Sequence, residues 1–306
     1  MLSTLATNYQ LLVELPAAQN FCALIGLPRL VPYWPALLAF AGLFQLLRLS
    51  SNTLSSLVFG AKFDSLTPRQ KYDWGVRVVS QVHAIVVVLL AIPIFFKQEL
   101  INDKLFGFDS YAAWVYTLVC GYSINKALEL HMLARVLDNL LAVSIADINM
   151  YFLWDICVSV GDAKRLGVGF IVHAFASFGV YILSFRPSLQ YYGASFIMFE
   201  ASTIFLNMNW WMDKLGMTGS RLQLYNACTL LFLYLTVRLI FGVYMSYHLF
   251  ADLDANGSSM PIALRYFYRI ANYSIILLSY YWFYLMIAAV RKRFSPSKTD
   301  KAVKTE

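Results

Sequence analysis

A histidine at position 173 and a glutamate at position 200 constrain this chain more than any other feature, because each lies inside a run of apolar residues as long as a bilayer is thick. The first run extends from Gly167 to Ser184 and the second from Tyr191 to Lys214. At helical spacing His173, Ser177 and Ser184 share one stripe, and Glu200, Thr203 and Asn207 share another. An ionisable side chain at the centre of a membrane costs roughly 2.5–3.5 kcal/mol on insertion scales, so each should face protein or a water-filled cavity.

Similar apolar runs fill most of the sequence. The chain is 59% hydrophobic and 13% charged, with a mean hydropathy of +0.60. Soluble domains carry roughly twice that charged fraction. The pattern predicts an all-α polytopic membrane protein, a helical bundle of about seven transmembrane helices. The net charge of +7 is spread through short loops and a tail rather than along one face, so a nucleic-acid partner is not expected. Cys22, Cys120, Cys157 and Cys228 stand alone in apolar surroundings with no CxxC spacing. They read as core cysteines rather than disulfides or metal ligands.

Taken in order, residues 1–34 form an N-terminal arm, too rich in proline (Pro16, Pro28, Pro32) for one long helix. Residues 35–69 hold the first transmembrane helix, ending near Leu49, and a basic loop. Thr67-Pro68 marks the start of a helix, with Thr67 as N-cap and Pro68 at the first helical position, and Pro93 should kink its exit. Residues 70–290 form the transmembrane core, in which 251–259 reads as a turn-rich loop. Residues 291–306 are a basic tail. With one crossing between 111 and 160, fifteen Lys and Arg fall on one side of the membrane and six on the other. This asymmetry predicts a lumenal N-terminus and a cytosolic C-terminus.

Each intramembrane polar residue has two readings. His173 either hydrogen-bonds a neighbouring helix or serves a reaction. Glu200 should be protonated, paired or wet, with Arg238 or His173 as partner, and Arg238 has Asp155 as an alternative. Asp155 sits four residues from Tyr151 and from Ser159, a third polar stripe, and His83 lies three residues from Ser80. A di-iron site of clustered histidines is not supported by four scattered ones, and Gly193-Ala-Ser195 lacks the second glycine of a hydrolase elbow.

The order and spacing of Trp74-Gly-Val-Arg77, Ser80-Gln-Val-His83, Tyr151-Phe-Leu-Trp-Asp155, His173-Ala174, Phe199-Glu200-Ala-Ser-Thr203-Ile-Phe-Leu-Asn207 and Trp210-Trp211-Met-Asp213 resemble the TLC-domain family. That family includes ceramide synthases, translocating-chain-associated proteins and lipid-homeostasis proteins. The resemblance covers roughly residues 40–290 and lies with the non-ceramide-synthase members of fungi and animals. Ceramide synthases carry a His-His pair where this chain has His173-Ala174, which counts against ceramide synthesis. In similar proteins a glycine-tyrosine pair runs directly into Phe-Leu-Trp-Asp. Residues 123–151 therefore read as an insertion between Tyr122 and Phe152, arising from isoform choice or a retained intron.

The resemblance implies an endoplasmic-reticulum or related endomembrane protein that binds or regulates acyl lipids in a polar cavity lined by His83, Asp155, Thr203, Asn207 and Arg238. As an enzyme it would be an acyltransferase, with His173 as base or acyl carrier and Glu200 orienting it, and with acyl-CoA as substrate rather than a bound cofactor. A membrane cargo receptor or chaperone is the third class, its work mapped to loops and tail. Membrane lipids are the expected partners, with acyl-CoA under the enzyme reading and a second copy of the chain in a homodimer. No metal is expected.

Overall fold

The computed structural model describes residues 2–131, 168–186 and 188–294 of the 306-residue chain. Asp155, Cys157 and most of the segment read as an insertion lie outside the described residues. The arm folds as α1 (Leu2–Val13), α2 (Pro16–Leu24) and a 3₁₀ turn at Pro28–Leu30. Pro16 and Pro28 each open their element, where a missing N–H costs nothing. Cys22, Leu27, Leu30 and Tyr33 are buried in the same core as Val87, Ala91 and Tyr116, so the arm is docked on the bundle.

The first long helix, α3 (Trp34–Phe59), continues ten residues past the expected end at Leu49. Its Ser51 and Ser55, which look like loop residues, are buried against the next helix. Ser55 Oγ accepts the indole N–H of Trp74 at 2.8 Å. After α4 (Ala61–Asp64), Thr67 and Gln70 form a capping box that starts α5 (Pro68–Ala91), the start expected from Thr67-Pro68. Pro93 cannot donate to the helical ladder, and the chain tightens there into a 3₁₀ turn at Ile92–Phe96. α6 (Gln98–Asn102) leads to α7 (Ser110–His131).

Beyond the undescribed segment come α8 (Val168–Leu183), α9 (Gln190–Ile197) and α10 (Glu200–Lys214). The run read as one segment from Tyr191 to Lys214 is thus two helices with a break at Met198–Phe199. α11 (Arg221–Leu233) passes without interruption through a π-helical stretch (Tyr234–Phe241) into α12 (Gly242–Asn256). A 3₁₀ turn at Gly257–Ser259 precedes α13 (Ile262–Phe294). The expected loop at 251–259 is therefore helical as far as Asn256. Leu253 is buried there, and Asp252 accepts the Tyr192 hydroxyl, which holds the extra turn down.

α3 packs along α5 and α7, α10 lies against α5 and α11, and α8 leans on α7 and α13. At Gly121 a Cβ would stand 2.7 Å from Phe40 Cβ, so the glycine lets α7 close on α3. Among the described residues four helical stretches are long and apolar enough to cross a membrane: Trp34–Phe59, Pro68–Phe96, Arg221–Ser259 and Ile262–Arg293. The further crossings counted in the expected seven fall on α7, α8 and the α9–α10 pair, which are more polar, shorter or interrupted. Large apolar side chains such as Leu57, Leu89, Phe232 and Leu277 point outward. An outer surface of that kind suits lipid rather than water.

Candidate functional site

The polar residues on α5, α8, α10, the π-helical stretch and α13 converge on one cavity of about 870 Å³. Along α5 it is lined by Asp73, Arg77, Ser80, His83 and Val87, fourteen residue steps from first to last. At 1.5 Å per residue it extends about 21 Å parallel to the helices. The Asp73 end is the more polar. Val87, Val180, Ile197 and Leu249 add apolar wall further along, around Glu200.

Asn207 ties two walls together. Its Nδ2 donates to Ser80 Oγ at 3.2 Å, and its Oδ1 accepts from Arg77 Nη1 at 3.0 Å. The Arg77 guanidinium lies 4.7 Å from the centre of the Trp210 ring. Asn207 is 2% exposed, and a buried amide paid for with both its donor and its acceptor fixes the register of α10 against α5.

Arg238 projects from the π-helical stretch, an element that recurs at functional sites because its wider turn re-aims side chains. Its Nε donates to Ser202 Oγ at 3.0 Å and its Nη2 lies 3.5 Å from Thr203 Oγ1. The rings of Phe199 and Tyr234 stand 5.3 and 5.0 Å from its guanidinium carbon. Phe199 is itself pressed against Gly242, where a Cβ would come within 2.5 Å of the ring. The break at Met198–Phe199 thus places a ring beside Arg238 and sets Glu200 in the first turn of α10.

Of the residues singled out in the sequence, His83, His173, Glu200, Thr203, Asn207 and Arg238 all line this cavity. Asp155 lies outside the described residues. Arg238 is directed to Ser202 and Thr203, and forms no ion pair with Glu200. His83 stacks on Tyr122 at 3.9 Å, and His173 meets the edge of Trp282 at 5.5 Å. Ser177 lines the cavity, whereas Ser184 turns back to the Tyr181 carbonyl at 2.6 Å. Sequence reasoning did not anticipate Arg77, Ser202, Trp210 or Asn272 as cavity residues. Asp73, Arg77 and Ser80 share a helical stripe with His83, which was the available signal. Ser202 lies within the polar stretch Glu200–Asn207 already singled out, and Asn272 had no signal.

The TLC domain pattern matches residues 73–288, well over half of the chain. An uncharacterized TLC domain-containing protein of Schizosaccharomyces pombe is 29% identical over 273 residues, covering 89% of this chain and 84% of that protein. Topoisomerase I damage affected protein 4 of Saccharomyces cerevisiae is 26% identical over 254 residues, covering 81% and 80%. TLC domain-containing protein 4 of Homo sapiens is 28% identical over 175 residues, covering 56% of each. Two of these three are TLC domain-containing proteins by name, and none of the three is named as a ceramide synthase. No solved structure matches the chain. An all-helical bundle with membrane-length spans and this match place the chain, an integral membrane protein, in the TLC-domain family.

Proposed function

We propose that the protein acts in lipid homeostasis by binding or regulating acyl lipids in the central cavity. Family membership carries the coarser statement, a lipid-related role in a membrane. The finer reading is supported by one observation: a cavity of about 870 Å³ that joins apolar walls to a cluster of ionisable groups at membrane depth. That volume falls within the roughly 300–1,000 Å³ of sites that hold small molecules, and its two-part lining suits an amphipath. The protein sits in the endoplasmic reticulum or a related endomembrane, with the Thr67 and Lys214 end of the bundle toward the cytosol. The excess of basic residues in the segments at that end supports this orientation.

A second reading is acyl transfer to an amine or hydroxyl, with His173 as base or acyl carrier. It is favoured by His173 and Glu200 lining one cavity. The test is an acyl-resolved lipidome of cells lacking the protein and complemented with wild type or His173→Ala. Restoration of a specific acyl lipid by wild type alone supports a role for the cavity. Restoration by both leaves lipid binding but removes the enzyme reading. An unchanged lipidome throughout sinks the proposal and leaves the cargo-receptor class.

A further inference from the structure

We infer that the cavity selects a zwitterionic phospholipid headgroup bearing a primary ammonium, its phosphate held at Arg238 and its ammonium at Glu200. This deepens the lipid reading above and rests on it. Besides its histidines, four acidic or basic side chains among the described residues line the cavity: Asp73, Arg77, Glu200 and Arg238. The first two are neighbours at i and i+4 on α5, and Arg77 also donates to Asn207 and stacks on Trp210. These two opposite charges stand one turn apart on the same face of α5.

Arg238 and Glu200 differ. Arg238 is 7% exposed, and two of its five N–H donors go to the hydroxyls of Ser202 and Thr203. Hydroxyls orient a guanidinium without neutralising it, and among the described residues no carboxylate pairs with it. Glu200 precedes Thr203 by three residues and so shares its face of α10. It stands in the first turn of that helix. Among the described residues it makes no hydrogen bond or ion pair. Two opposite charges thus flank Thr203 without meeting, at a depth where leaving either unpaired is costly.

A dipolar ligand satisfies both. A planar guanidinium suits phosphate oxygens, with donors to spare for a bidentate pair. A carboxylate accepts from an ammonium. A second acceptor, Asn272 Oδ1, is buried in the cavity wall without a hydrogen-bond partner among the described residues, and Asn272 is only 6% exposed. Two acceptors favour an ammonium that carries N–H groups over a quaternary one. Two of the aromatic faces in the cavity, Phe199 and Tyr234, are taken by Arg238 and are not open to a quaternary ammonium. An uncharged diacylglycerol leaves both protein charges unpaired, and phosphatidylglycerol pairs Arg238 but offers Glu200 only neutral hydroxyls in place of an ammonium. The apolar walls that include Val180 and Leu249 then receive an acyl chain.

The test uses the full-length protein in uncharged detergent, with short-chain lipids of one acyl composition competing for a fluorescent phospholipid. The probes are phosphatidylethanolamine, phosphatidylcholine, phosphatidylglycerol and diacylglycerol, with water-soluble phosphoethanolamine as the other source of the same chemistry. Phosphatidylethanolamine is expected to bind about tenfold or more tighter than phosphatidylglycerol and diacylglycerol, the scale of one charge-assisted hydrogen bond. Glu200→Gln should remove the preference over phosphatidylglycerol. Arg238→Lys should weaken every phosphate-bearing lipid and leave diacylglycerol unchanged. Should Arg238→Lys not fold, the near-isosteric Glu200→Gln still decides. Equal binding of all lipids, or a preference untouched by Glu200→Gln, overturns the headgroup assignment and leaves lipid binding standing. Displacement by phosphoethanolamine as effective as by the lipid overturns the lipid source. Failure to bind any lipid overturns both this inference and the function proposed above.

Discussion

Arg77 on α5 donates to Oδ1 of Asn207 on α10 across 3.0 Å, and Asn207 passes the link on to Ser80 through its amide nitrogen at 3.2 Å. One amide therefore serves two groups on the opposite helix. Replacing it with leucine keeps the volume but strands both partners. The expected cost is about 1–3 kcal/mol, the penalty of a buried polar group left unmade, and more if the Arg77 charge stays buried. Thermal unfolding of Asn207→Leu in detergent reads it directly. An unchanged melting temperature would mean that Trp74, packed on Trp210 and Trp211, holds α5 to α10 alone.

Two glycines with opposite surroundings give a paired test of the Phe199 contact. A Cβ at Gly242 would lie 2.5 Å from the Phe199 ring, whereas at Gly42 nothing stands within 4 Å. Gly242→Ala must push Phe199 away, and with it one wall of the Arg238 site, at about 1–3 kcal/mol for overpacking. Gly42→Ala should instead stabilise α3 by up to about 1 kcal/mol through helix propensity. Equal melting temperatures for the two variants would show that Phe199 moves without resistance.

The polar stripes of α8 and α10 were legible because a histidine or glutamate in an apolar run can only face inward. That single constraint points His173 and Glu200, with Asn207 on the same stripe as the glutamate, toward one cavity. Ser51 and Ser55 misled for the converse reason. Their polarity reads as solvent, but the Trp74 indole and the close approach at Gly75, where a Cβ would stand 2.8 Å from Ser51 Oγ, take them into a helix interface. The break at Met198–Phe199 has no proline or glycine to announce it. Tertiary packing of Phe199 on Gly242 and Arg238 accompanies it, and such packing lies beyond local propensity. The π-helical turn that aims Arg238 is equally silent in the sequence.

His173 separates packing from chemistry. Its ring meets the edge of Trp282 at 5.5 Å, a contact worth about 0.5–1.5 kcal/mol. His173→Phe keeps an aromatic ring there but removes both nitrogens, and His173→Ala removes everything. In the lipidome assay the two variants should fail alike, while Phe melts closer to wild type than Ala does. A fully active His173→Phe would make the histidine a packing residue only.

Cys22 reports whether the arm stays on the bundle. Its side chain is 2% exposed among Leu27, Leu30 and Tyr33, and burial pushes the thiol up from its ordinary range. The thiolate is the reactive form, so a raised value means less of it at any given pH, and alkylation should be slower than for a free thiol near 8.5. In protein with Cys157 and Cys228 changed to alanine, maleimide labelling at pH 7.5 should be slow and should rise about tenfold per pH unit. Cys120 is fully buried in α7 and adds no background. Leu27→Asp places a charge in the same buried cluster and should free α2, bringing Cys22 to the rate of an exposed thiol while the bundle still melts cooperatively. Rapid labelling of Cys22 in the unaltered arm would mean that α1 and α2 leave the bundle surface on the timescale of the reaction.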